Sequence, residues 1–416
     1  HTWLTNRPIT RVDLPLLFDH QLQAKYAYWG IVDPSQLPVF IQQLNIHYAT
    51  PTIDGLVDKL WEMLPWVEIQ SSGSITASFQ TRWDEEYLYL IVDVEDATDD
   101  DGDKIEVFVD QNNGKTEAYE GDDYHYTFPD GSANVMSSWV TTPHGYRFEA
   151  AIKGIPTPPA TSFPLLLNQH IGFDIRITDG SHPDTPISWN DLTHSQDTDT
   201  SKFGTLTLVE PIKLTTAIEG TPTIDGEEDA IWANAPVIDT NVWVIGTSGS
   251  TARVKTLWDR THLYVYAVVS DTLLSKASSN AWEQDSIEIF VDQNNGKTSS
   301  YEPDDGQFRV NYDNEQSFNG TVATTATLAS ATRVISDGYV VEAAVTLNAF
   351  PPRGGNMIGF DFQVNNDEDG NGTRDSVAIW NDPTGQSYQN TSRLGVLEFI
   401  AGPRVNVYLP LVLKQY

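Results

Sequence analysis

Two tryptophans and four polar residues in the later half of the chain have types and spacing that suggest chemistry. Trp282 sits in the loop Asn280-Ala-Trp-Glu-Gln-Asp285, just ahead of a strand-like run, and Trp380 closes the run Ala378-Ile-Trp380. Between them Glu288, Arg309, Asn311 and Gln363 fall on segments with strand alternation. Indole faces pack on flat C–H surfaces, and ionised groups make hydrogen bonds of roughly 1.5–3 kcal/mol against about 1 for neutral pairs. A pyranose ring has both an apolar C–H face and an edge of hydroxyls. Two indoles gripping one ring, with Glu, Arg, Asn and Gln at its rim, would hold a neutral sugar.

The chain supplies its own control, because it is written twice. Ile105-Glu-Val-Phe-Val-Asp-Gln-Asn-Asn-Gly-Lys-Thr116 returns as Ile287-Glu-Ile-Phe-Val-Asp-Gln-Asn-Asn-Gly-Lys-Thr298, and Pro51-Thr-Ile-Asp-Gly55 returns as Pro222-Thr-Ile-Asp-Gly226. Trp61, Trp83 and Trp189 match Trp232, Trp258 and Trp380. A repeat of this length is a whole domain. The same alignment sets Arg309 opposite Thr127 and Asn311 opposite Pro129, and the loop with Trp282 has no tryptophan counterpart. Residues needed only for packing should recur in both copies. Trp282 and Arg309 do not, so the second copy is expected to carry the working site and the first a degenerate one.

The elements that position these residues read as strands. Tyr87–Val94, His262–Val269, Tyr339–Val345 and Ile358–Val364 are β-branched and aromatic runs separated by Gly, Asn and Asp turns. In the segment 287–292, Ile287, Ile289 and Val291 share one face, and Glu288, Phe290 and Asp292 the other. The expected class is all-β: two tandem antiparallel β-sandwiches of jelly-roll-like form. The expected boundaries are a head at 1–48, a first sandwich at 49–210, a second at 219–401 and an apolar tail at 402–416, the tail read as an added edge strand in preference to a sorting or anchoring tag.

Composition narrows the partners. With 24 basic and 58 acidic side chains the formal net charge is −34, which disfavours nucleic acid and anionic membranes. No apolar run is long enough to span a bilayer. Cysteine is absent, so disulfides, thiolate nucleophiles and Cys-type zinc sites are excluded. Hard oxygen ligands are plentiful. Asp367-Glu-Asp-Gly-Asn-Gly372 has the character of a calcium loop without the closing Glu of an EF-hand, and Asp225, Asp271 and Asp361 at strand or turn edges are further metal candidates.

The second repeat closely resembles family 9 carbohydrate-binding modules of bacterial xylanases. The resemblance rests on Pro222-Thr-Ile-Asp-Gly226, Leu257-Trp-Asp259, Asn280–Asp292, Gln307-Phe-Arg-Val-Asn-Tyr312 and Asn314-Glu-Gln316. It implies a sandwich with bound calcium and a tryptophan pair, here Trp282 and Trp380, closing on the end of a glucan or xylan chain. Glu288, Arg309, Asn311 and Gln363 match the polar partners. The head, with His1-Thr-Trp-Leu4, Pro15-Leu-Leu-Phe-Asp19 and Lys25-Tyr-Ala-Tyr28, resembles the last strand-loop-helix of a family 10 glycoside hydrolase, an endo-1,4-beta-xylanase barrel. A (β/α)8 barrel needs roughly 200–250 residues, so the head is expected to be a C-terminal remnant.

The resulting expectation is a monomeric, non-catalytic segment of a secreted, extracellular bacterial xylanase that binds xylan, cellulose or their oligosaccharides. The alternative is that this chain itself hydrolyses glycosides through a pair of carboxylates, although no pair is singled out. A haem sandwich would want a Met/His axial pair, and Met63, Met136 and Met357 recur at no matching positions.

Overall fold

The computed structural model describes residues 41–73, 75–97, 102–128, 135–153 and 165–402. The xylanase-like motifs of the head, Trp3 included, and the apolar tail from residue 403 lie outside the described residues. The chain forms two bodies divided at Val209/Glu210, with Val57–Trp66 grouped in the second.

In the first body β-branched and aromatic runs become β1 (Gln43–His47), β2 (Val67–Ser72), β3 (Ile75–Trp83), β4 (Tyr87–Asp96), β5 (Lys104–Asp110), β6 (Asp123–Phe128), β7 (Val135–Thr142), β8 (Gly145–Lys153), β9 (His170–Thr178), β10 (Ile187–Ser188) and β11 (Gly204–Val209). One sheet has the order β2-β3-β4-β8-β7. The other runs β1-β11-β9-β5-β6, with β10 paired to β9. Alternate residues of the two sheets, such as Leu88, Leu90, Val92 and Val94 on β4 and Ile105, Val107 and Val109 on β5, make one core.

The second body contains β12 (Leu214–Glu219), β13 (Val237–Asp239), β14 (Val242–Ile245), β15 (Thr251–Trp258), β16 (His262–Ser270), β17 (Ser286–Asp292), β18 (Asp305–Asn311), β19 (Gln316–Asn319), β20 (Leu328–Ile335), β21 (Gly338–Thr346), β22 (Met357–Asn366), β23 (Ser376–Ile379) and β24 (Gly395–Ile400). Pairing is continuous in the order β19-β18-β17-β22-β24-β12-β15-β16-β21-β20. β13 adds to β15, β23 to β22 and β14 to β23.

β12 turns the corner between the layers. Leu214–Ile218 runs parallel to β24, and Ile218 and Glu219 pair with Leu257 and Trp258 of β15, also in parallel. In the first body β1 pairs in parallel with β11, and the corner is reduced to a single bridge between Tyr48 and Trp83.

Two features add to the expected layout. Each antiparallel sandwich includes one parallel opening strand, β1 lying inside the segment taken as the head and β12 starting five residues before 219. Both strands pair with the far end of their own repeat, and local periodicity carries no trace of such a pairing.

Ile287, Ile289 and Val291 enter the core as expected. The opposite face of β17 is not solvated either, since Glu288, Phe290 and Asp292 are at most 2% exposed. A polar face covered on the outside of a central strand marks this side of the sheet for a purpose other than facing water.

Candidate functional site

The covered face is built by register. Glu288 on β17 pairs with Arg309 on β18 and with Gln363 on β22. The next row on the same face is Gln307, Phe290 and Asp361. Because side chains alternate, these rows project to one side of the sheet. They floor a cleft of about 550 Å³ lined by Val244, Trp282, Glu288, Phe290, Gln307, Arg309, Phe318, Asn319, Gln363, Arg374, Val377, Gly385 and Tyr388.

Glu288 is the hub. Its carboxylate accepts from Arg309 Nε at 2.8 Å, from Asn365 Nδ2 at 2.7 Å and from Gln307 Nε2. Two charges buried together are tolerable only when paired and hydrogen-bonded, and here both conditions hold. Arg309 also donates from Nη1 to Ser317 Oγ at 2.8 Å, which leaves its Nη2 without a partner among the described residues. Gln363 donates to Asn365 Oδ1 at 2.9 Å and keeps its own carbonyl oxygen unengaged among the described residues. Arg374 donates from Nη1 to Asn365 Oδ1 at 2.9 Å. The floor therefore offers donors and acceptors whose directions are already fixed.

The two aromatic rings at the mouth sit on loops. Trp282 occupies a 3₁₀ turn, Ala281–Glu283, and is 45% exposed. Its neighbours hold the turn: Glu283 accepts the Arg374 backbone N–H at 2.9 Å, and Gln284 donates to Ser278 O at 2.8 Å. Tyr388, also 45% exposed, lies on the loop after β23. Asn319 Nδ2 holds its carbonyl at 2.7 Å, and Tyr301 donates to Ser387 O at 2.7 Å. Gly385 in this loop has φ +67°, and a Cβ there would meet Val244 at 2.4 Å, so glycine is required.

Trp282, Glu288, Arg309 and Gln363 thus come together as expected. Trp380 does not. It is 5% exposed, packs on Phe360 with ring centroids 5.8 Å apart and crowds Gly395, as part of the hydrophobic core. Its counterpart Trp189 is likewise buried, against Phe79 and Phe173. The position shared by both copies is the one that packs. The second aromatic of the cleft is Tyr388.

Asn311 also moves out of the ligand set. It shares the face of Arg309 but lies at the strand end, 2% exposed, donating to Gln284 and Glu315 and accepting from the N–H groups of Asp313 and Glu315. It props the Trp282 loop from below. Gln307, Asn319, Arg374 and Tyr388 were missed as cleft residues. Gln307 was findable, being two residues before Arg309 on the same strand. Tyr388 sits in a loop, where periodicity gives no direction.

The metal candidates divide. Asp361 is fully buried, and its carboxylate accepts the N–H groups of Phe362, Asn381 and Asp382 at 2.8–2.9 Å, anchoring the start of the Tyr388 loop. Burial pushes it up to about 7 against those hydrogen bonds. Its oxygens serve the backbone instead, and among the described residues Asp361 joins no acidic group close enough to share an ion. Asp225 is an exposed turn residue that accepts the Glu227 N–H.

Asp271 fits better. Its Oδ2 and Asp367 Oδ1 are buried and accept no hydrogen bond. Burial, with Asp271 and Asp367 nearby, drives Asp285 up to about 7. Buried oxygen atoms without donors, both near Asp285, suit a hard divalent cation. Asp285 also accepts the N–H groups of Ser275 and Asp367, so the site lies at the base of the Trp282 loop. In the first body Asp96 and Asp103 match Asp271 and Asp285, and together with Asp179, which takes the register position of Asn366, their ligand atoms lie within 4.8 Å of one another. Asp367, Asp369 and Asp375 form another such group in the acidic loop.

The first body fills its equivalent floor with ions. Glu106 pairs with Thr127 where Glu288 pairs with Arg309, and with Arg176 where Glu288 pairs with Gln363. Arg176 makes two bonds to Glu106, at 2.7 and 2.8 Å, and two to Asp197, both at 3.0 Å. His125, stacked on Phe108 with centroids 4.3 Å apart, reaches Glu106 at 3.0 Å. Asp197 aligns with Tyr388. The guanidinium is spent on internal carboxylates, and a ring-stacking residue has become a charge.

A family model described as "Carbohydrate family 9 binding domain-like" matches residues 53–211 and 224–401. The chain belongs to this family. It carries two tandem carbohydrate-binding modules on the sandwich fold. The chain is 44% identical over 412 residues to the "Exoglucanase XynX" of Acetivibrio thermocellus, covering 97% of this chain and 37% of the relative. It is also 44% identical to the "Endo-1,4-beta-xylanase A" of Thermoanaerobacterium saccharolyticum, covering 97% and 34%. It therefore spans little more than a third of the length of these relatives. A solved family 9 module from Caldicellulosiruptor kristjanssonii in complex with cellotriose is 35% identical, covers 48% of this chain and 99% of that one, and has a TM-score of 0.45.

Proposed function

We propose that the second module holds a saccharide of xylan or cellulose between Trp282 and Tyr388. The rim hydroxyls would bond to Arg309, Glu288, Gln363 and Gln307. One observation carries this reading: the Arg309–Glu288–Gln363 row and two half-exposed aromatic rings line the same cleft. Rigid aromatic faces over prearranged polar groups bind a ring with little ordering cost. The first module, with Arg176 neutralised by Glu106 and Asp197, takes no sugar in this way.

Hydrolysis within the cleft lacks support. It needs two carboxylates across the scissile bond, and Glu288 is the single acid among the lining residues. The chain instead serves as a monomeric, secreted targeting segment that tethers a xylan-degrading enzyme to its polymer and raises its local concentration there. Calcium at Asp271, Asp285 and Asp367 would hold the Trp282 loop in place; the ion supplies charge balance for the three carboxylates and no reaction.

The test is calorimetric titration of the chain with cellobiose and xylobiose, together with retention on insoluble xylan and cellulose. Saturable binding of one sugar per chain is expected. Absence of both heat and retention overturns the assignment.

A further inference from the structure

The charges in the cleft do not balance. Its charged lining residues are Glu288, Arg309 and Arg374. Glu288 and Arg309 neutralise each other at 2.8 Å. Arg374 has no such counter-ion among the described residues: its guanidinium donates once, to the neutral Asn365, and its backbone N–H goes to Glu283. Its Nε and Nη2, and the Nη2 of Arg309, carry no hydrogen bond among the described residues. A half-buried, unpaired guanidinium in a chain of net charge −34 stands against the general trend of the molecule. The first module is the contrast, since its floor arginine, Arg176, is paired with two carboxylates.

The free acceptors of the cleft, on Gln363, Gln307 and Asn319, satisfy hydroxyl donors. The guanidinium N–H groups have a different optimum. Their fork matches a carboxylate, and such charge-assisted bonds are roughly twice as strong as neutral ones. We propose that the cleft prefers a glycan bearing a carboxylate, a uronic-acid-substituted oligosaccharide, with Arg374 and Arg309 Nη2 as the groups that receive it. This inference rests on the saccharide reading above and names the class of sugar within it.

The experiment titrates the full chain with xylobiose and with xylobiose carrying one glucuronic acid. The buffer holds about 0.15 M salt, where a screening length of about 8 Å removes the remote acidic surface while leaving short contacts. The acidic sugar should bind about five- to tenfold more tightly than the neutral one. Arg374→Gln should bring that ratio close to one, whatever it does to either affinity, and Arg374→Lys should keep part of it. Neutral binding with an equal or weaker acidic sugar overturns this inference and leaves the saccharide site standing. Failure of both sugars to bind overturns the two together. A ratio unchanged in Arg374→Gln overturns the role of that residue.

Discussion

Replacing Trp282 with alanine separates a binding role from a packing role. A tryptophan side chain presents up to about 250 Å², and Trp282 is 45% exposed, so roughly 110 Å² is available to a ligand. At about 25 cal/mol per Å² this corresponds to 2–3 kcal/mol, or an affinity loss of about 30- to 150-fold. The effect on folding should be small. The turn is held by Glu283, Gln284 and Asp285 rather than by the indole. Titration with xylobiose or cellobiose, beside a thermal melt of the same protein, measures both. Affinity within threefold of the parent at an unchanged Tm would refute the reasoning, because the ring would then touch nothing that binds.

Trp380→Ala should behave in the opposite way, losing about 3–5 kcal/mol of stability to an unfilled core cavity, read as a lowered denaturation midpoint of the second module. Tyr388→Ala should weaken sugar binding about tenfold with little change in Tm, through loss of ring contact area. Chelation should lower the Tm of the second module and weaken sugar binding together, since Asp285 and Asp367 tie the Trp282 loop to the sheet; melting with EDTA and with excess calcium tests this. In the first module burial alone would raise Glu106, but hydrogen bonds from His125 and Arg176 outweigh it and hold the carboxyl at about 2, below its usual 4.5. A depressed carboxylate stabilises the fold above its unfolded value, so about 2–3 kcal/mol should be lost as pH falls from about 4.5 to 2. Glu106→Gln should flatten that part of the acid-unfolding curve.

Much of this architecture was legible in the sequence because strand faces and repeats are local signals. Ile287, Ile289 and Val291 went where alternation sends them, and Glu288 with Arg309 met across adjacent strands. The comparison of copies also singled out Trp282 and Arg309, which occur in one copy only and line the same cleft. It carried a warning for Trp380 too, shared with Trp189, but aromatic type outweighed that signal. What the sequence hid is set by tertiary pairing. The Tyr388 loop is aimed by Asp361, a residue whose buried acid looked like a metal ligand until its three backbone donors were visible. β1 and β12 were hidden because their partners lie more than 150 residues further along the chain.

Those two strands give the modules a mechanical property. The opening strand of each sandwich lies parallel to its closing strand, over five residue pairs from Gln43–Thr205 to His47–Val209 and from Leu214–Val396 to Ile218–Ile400. Tension applied through the chain ends therefore slides the two strands past one another, loading every backbone bond of the pair at once instead of peeling them singly. Resistance to pulling is governed by the unfolding rate, and shear geometry keeps that rate low. A module that tethers an enzyme to an insoluble polymer, as proposed above, would be served by such a clasp.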